Sequence, residues 1–221
     1  MSPLLRKKES GVTLVELLVV MIVMSIISGM IVTVWISLSN ASAFTSSSME
    51  QQDFARDAVS RMAAQIRDAE DPASSSNSSA FTLAADDQVC FYTTYNTSGA
   101  ADPTTPPTLQ RFILWSNHCI YREAADGDDN FAADPSVDPK ASLLVSNVVN
   151  SDNNRDLFTY SAYSAVAPHP LYYSDSATSV AVAPADIVTV TIAALVDLNP
   201  GHSPQYVTVQ TTVQPRNLLR N

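Results

Sequence analysis

Two hydrophobic rhythms divide this chain. From Leu17 to Ile36, twenty consecutive residues carry no charge. Wound as a helix at about 1.5 Å per residue, such a run is about 30 Å long, the thickness of a bilayer core. Further along, Phe54, Ala58, Met62 and Ile66 recur every four residues. Ala55, Val59 and Ala69 widen that stripe, while Arg56, Asp57, Arg61 and Asp68 lie off it. The spacing predicts an amphipathic helix with one core-facing side and an Asp57–Arg61 pair on its wet side. No proline interrupts residues 12–71, and Asp71-Pro72 supplies the stop. Taken as one element of 60 residues, the helix would be about 90 Å long. Its first half would lie in lipid and its second half on a domain.

Pro72 to Ala80 is mostly serine and reads as a linker. Beyond it the period falls to two. Strands are expected at Gln88–Tyr95, Leu109–Trp115, His118–Arg122, Ser142–Val149, Leu157–Ser164, Asp186–Asp197 and Gln205–Gln214. The last two alternate cleanly around Asn199-Pro200-Gly201 and read as a long hairpin. The expected class is α+β: a long N-terminal helix, transmembrane in its first half, packed on an antiparallel sheet, with the Phe54–Ile66 stripe under one face.

Charge sharpens this division. The 221 residues hold 12 basic and 22 acidic side chains, yet Arg6, Lys7 and Lys8 crowd the head. Beyond residue 11 the chain has 9 basic and 21 acidic residues. A basic flank before an apolar run predicts a single-pass chain in the cytoplasmic membrane with that end in the cytoplasm and residues from about Ser37 outside. Trp35 suits an interfacial anchor. The acidic remainder argues against nucleic acid as a partner. Glu16 is the anomaly, because a carboxylate carried into lipid costs on the order of 2.5–3.5 kcal/mol and is functional by default.

The segment Lys7-Lys8-Glu9-Ser10-Gly11-Val12-Thr13-Leu14-Val15-Glu16, followed at once by the apolar run, resembles the N-terminal signal of type IV pilins and type II secretion pseudopilins. The resemblance implies four segments: a leader 1–11 removed by a prepilin peptidase, a transmembrane and polymerisation helix 12–36, its amphipathic continuation 37–71, and an extracytoplasmic β-rich domain 72–221. It implies cleavage between Gly11 and Val12, N-methylation of Val12, and pairing of Glu16 with the N-terminal amine of a neighbouring subunit, with Thr13 beside it. Val12 stands where the family usually has Phe or Met. Partners would be other pilins or pseudopilins, the peptidase and methyltransferase, the lipid bilayer and, indirectly, an assembly platform and ATPase. The destination would be a pilus or pseudopilus outside the cytoplasm or at the cell surface.

Short ectodomain phrases also resemble J-type pseudopilins and minor pilins. They are Ile66-Arg67-Asp68-Ala69, Leu144-Val145-Ser146-Asn147-Val148 with Leu157-Phe158-Thr159-Tyr160, and the close on Pro215-Arg216-Asn217-Leu218. The absence of proline from Met30 to Trp35 leans the same way, towards a minor subunit.

Other readings of the head remain open: a secretory signal peptide cut after Ala43 in Ala41-Ser42-Ala43, or a plain anchor. Ser25 and Gly29, four apart, are a helix-packing pair or a point of flexure. Cys90 and Cys119, both on the oxidising side, are a disulfide or two free thiols. Asp126, Asp128 and Asp129 offer hard oxygens for calcium, but Phe131 stands where an EF-hand has glycine, and a solvated loop is the alternative. His118, His169 and His202 are far apart, and no catalytic, nucleotide or cofactor motif is written in the chain. The rival function is a membrane-anchored extracellular binding protein or hydrolase that uses the helix only as a tether.

Overall fold

The computed structural model describes residues 13–72, 79–95, 106–125, 130–163, 171–173, 182–201 and 203–216. One long helix, α1 (Leu14–Arg67), is followed by nine described strands. The chain divides into two units, Met1–Ser47 and Ser48–Asn221, and each is taken by itself.

In the first unit the helix is apolar and exposed on every side from Leu14 to Ala43. Among the described residues this is the one helix long and apolar enough to cross a membrane. Nothing within the unit covers it, so its apolar surface needs lipid or another chain.

In the second unit the same helix has one buried face. Ala55, Ala58, Val59, Met62, Ala63 and Ile66 are all at most 6% exposed. The expected stripe is therefore correct for Ala58, Met62 and Ile66, but Phe54 is turned out and 57% exposed. The helix advances about 100° per residue, so a strict four-residue repeat drifts off the seam, and Ala55 takes the inner place instead. Asp57 and Arg61 pair at 2.8 Å on the wet side. The helix ends at Arg67, ahead of Asp71-Pro72. Ala69 bridges to Thr93, and the Glu70 amide donates to the Tyr92 carbonyl, so strand pairing claims the chain before proline is reached. The Arg216 amide closes the helix by donating to the Arg67 carbonyl at 2.9 Å.

The helix packs on antiparallel β structure, an α+β arrangement of pilin-like kind. The expectation of one sheet gives way to two. The first has the order β1 (Phe81–Ala84), β2 (Gln88–Thr93), β3 (Thr108–Trp115), β4 (Cys119–Ala124), β5 (Ser142–Val145). The second has the order β7 (Leu171–Tyr173), β6 (Phe158–Tyr163), β8 (Thr189–Asp197), β9 (Tyr206–Val213). β1 and β7 were not foreseen, being four and three residues long. The β8–β9 hairpin is as expected, with Gly201 at a φ of +83° in its loop, a conformation glycine adopts without cost.

Both sheets share one core. Phe91 and Phe112 meet across β2 and β3 as a tilted pair with centroids 5.5 Å apart, and Phe158, Val190 and Ile192 complete the core from the second sheet. Polar ties join the sheets. The Asp86 carbonyl accepts from the amides of Leu157 and Phe158, and the Tyr160 hydroxyl donates to the Ala85 carbonyl at 2.9 Å. Buried Asn150 ties the β5–β6 connection to β8 with three more bonds: to the carbonyls of Asp156 and Ala193 and from the amide of Leu195.

Candidate functional site

The first turn of α1 is built by a capping box. Thr13 is the last residue before the helix, and Glu16 stands three positions on. The Glu16 amide donates to Thr13 Oγ1 at 3.3 Å, and the Thr13 amide and hydroxyl both lie 3.4 Å from Glu16 Oε2. Such reciprocal bonds satisfy donors that a helix start leaves open. The carboxylate also sits at the positive end of the helix dipole. Among the described residues, no bond is made to its second oxygen, and the side chain is exposed. Gly11, Val12 and the basic residues 6–8 lie outside the described residues.

The rest of the exposed helix hides its own polarity. Ser25 Oγ donates to the Ile22 carbonyl at 2.7 Å, and Thr33 Oγ1 donates to the Met30 carbonyl at 2.8 Å. Hydroxyls bonded back to the backbone cost little in an apolar setting. A Cβ added at Gly29 would meet nothing within 4 Å. The chain's own fold therefore places no demand for glycine there.

The other candidates are dispersed. The expected Cys90–Cys119 bridge is not formed, and both thiols are free. Register explains why: Cys90 on β2 faces Arg111 on β3, which faces Glu123 on β4, four residues from Cys119. Two strand spacings and four residues of rise separate the cysteines by about 16 Å, where a disulfide needs Cα atoms within about 7 Å. Burial, the largest effect, pushes the Cys90 thiol up to about 11. Asp126, Asp128, Asp129, His169 and His202 lie outside the described residues. His118 Nδ1 stands 3.8 Å from Asp152 in an exposed turn. Among the described residues no three His, Cys, Asp or Glu side chains converge as metal ligands would.

Two features of the domain were not read from the sequence. A cavity of about 190 Å³ between the sheets is lined by Asp86, Asp87, Asp156 and Arg155. Burial there, with the charges of Asp156 and Asp87, raises the Asp86 carboxyl above its usual range. On the opposite side of the first sheet, Arg111 and Glu123 form an ion pair whose side chains are 14% and 1% exposed. Their partnership follows from strand register, for which twelve residues of separation carry no signal. The capping box was legible in principle, since Thr-x-x-Glu before an apolar run is its signature.

Comparison with known proteins adds one positive finding. No curated protein matches the chain. Residues 6–32 match the family model of the prokaryotic N-terminal methylation motif. That match spans the basic head, Gly11, the capped first turn and most of the exposed apolar helix, so this chain carries a type IV pilin-like prepilin signal.

Proposed function

We propose that the chain is a structural subunit, a minor pilin or pseudopilin, of a type IV pilus or a type II secretion-like filament. It is inserted in the cytoplasmic membrane with its N-terminus inside, cut after Gly11, methylated at Val12 and drawn into a filament through its N-terminal helix. The observation that carries this reading is the coincidence of the methylation-motif match at residues 6–32 with an uncovered apolar helix whose first turn holds Glu16.

A carboxylate and a free ammonium are each poorly solvated at the lip of a bilayer, and pairing them offsets both desolvation costs. Before assembly the Thr13 hydroxyl and amide partly satisfy Glu16. Afterwards the Val12 amine of an adjacent subunit takes up its remaining capacity and sets the axial stagger of the helices. The small residues Ser25 and Gly29 let a neighbouring helix approach closely. Other pilins and the prepilin peptidase are the partners implied, and the β-rich domain faces away from the helical core of the filament.

N-terminal sequencing of the mature protein, purified from cells with an active prepilin peptidase, tests this. Methyl-Val12 is the expected first residue. A start at Phe44 would make residues 1–43 a secretory signal. An intact leader, in cells that mature their other prepilins, would reduce the helix to a tether for a binding protein or hydrolase.

A further inference from the structure

We propose that the segment Phe131–Lys140 is a strap clasped by Arg111 over the outer face of the first sheet, and that it opens as a unit while the rest of the domain stays folded. Strand alternation identifies the outer face. Val89, Phe91, Phe112 and Ile120 point into the shared core, so Cys90, Leu109, Ile113, Tyr121 and Glu123 point the other way. An outer face would ordinarily be wet, yet these five residues are at most 9% exposed. Something covers them, and the contacts of Arg111 show part of that cover.

Arg111 holds three groups at once. Its Nε donates to Glu123 Oε2 at 2.6 Å, with Nη2 on the same oxygen. Nη2 also donates to the Ala132 carbonyl at 3.0 Å, and the guanidinium lies 4.7 Å from the centre of the Phe131 ring. A planar cation that bonds a carboxylate while stacking on an aromatic face is well suited to pinning a loop. The strap itself is held in shape by local bonds. Asp134 Oδ1 accepts from the amide and hydroxyl of Ser136, and Asp138 Oδ1 accepts from the Lys140 amide. Its crest, Val137, is 78% exposed.

The clasp is closed but incompletely satisfied. Glu123 Oε1 is buried without a hydrogen-bond partner among the described residues. The groups facing Glu123 are Arg111, which favours its charged form, Asp138 from the strap and the Cys90 thiol from β2. Burial, the largest effect, and the like charge of Asp138 both push the Glu123 carboxyl up against the pull of Arg111. A segment tied to its sheet at a concentrated, imperfect contact opens more readily than the ladder beneath it.

Hydrogen exchange on the full-length protein in detergent, with Cys119→Ser so that Cys90 is the sole thiol, tests the strap. Amides across residues 130–140 should exchange at least tenfold faster than those of β3 in the parent. Phe131→Ala keeps the ion pair intact. It should speed both the strap's exchange and alkylation of Cys90 about tenfold or more, with the domain still unfolding in one cooperative urea transition of unchanged slope. Val137→Ala, on the crest and away from the clasp, should change neither. Strap amides that exchange only with β3, equal acceleration by the two variants, or a Cys90 that stays protected in Phe131→Ala would each overturn the proposal.

Discussion

Asn150→Ala tests the idea that one buried amide stitches the β5–β6 connection to β8. Asn150 is 1% exposed and lies in the αR region, so alanine fits its backbone without strain. Its Nδ2 donates to the Ala193 and Asp156 carbonyls at 2.7 and 3.1 Å, and its Oδ1 accepts from the Leu195 amide at 2.7 Å. The Leu195 amide belongs to the stretch of β8 beyond the end of β6, where the ladder gives it no other acceptor. Truncation therefore loses three bonds at about 1 kcal/mol each, for a total of about 3 kcal/mol. In a domain of this size that lowers Tm by about 6–12 °C. Urea unfolding of the full chain in detergent, followed by Trp115 fluorescence, measures it. Asn153→Ala serves as control, because its one side-chain bond, to the Val149 carbonyl, is exposed; it should shift stability by less than about 0.5 kcal/mol. A loss below about 1 kcal/mol for Asn150→Ala, at unchanged slope, would refute the stitch.

Three further outcomes are expected. Glu16→Ala should insert in the membrane and accumulate normally but fail to enter filaments, scored by the sheared surface fraction; normal incorporation would remove Glu16 from assembly. Asp86→Asn should raise Tm at pH 7 and leave it unchanged near pH 3. The folded-state pKa of Asp86 is raised, so the native state binds this proton more tightly and the protein loses stability as pH rises through that value. An equal gain at both pH values would trace it to packing rather than charge. Without reductant, unfolded protein should take up alkylating reagent at both Cys90 and Cys119, read as a two-adduct mass; a mass with neither adduct, recovered only on reduction, would restore the bridge.

Much of this fold is legible because its signals are local. A twenty-residue uncharged run, a 3.6-period stripe ending at Ile66 and a two-period hairpin around Pro200-Gly201 each express a preference held within one element. The misses share a different character. Phe54 fell on the wrong side because the repeat was read as rigidly fourfold. β1 and β7 escaped because three or four residues carry too little periodicity. The cysteines looked like a pair because compartment argues for oxidation, whereas bonding needs a distance that only strand register supplies.

The processing signal, the membrane-length helix and the acid at its first turn belong to the sequence alone, because each depends on residues within a few turns of one another. Tertiary structure decided what depends on which strands become neighbours. It parted the sheet in two, kept Cys90 from Cys119, joined Arg111 to Glu123 across β3 and β4, and set Asn150 between β6 and β8. Pairing is a collective choice made by burying one shared core, and no short stretch of chain encodes it.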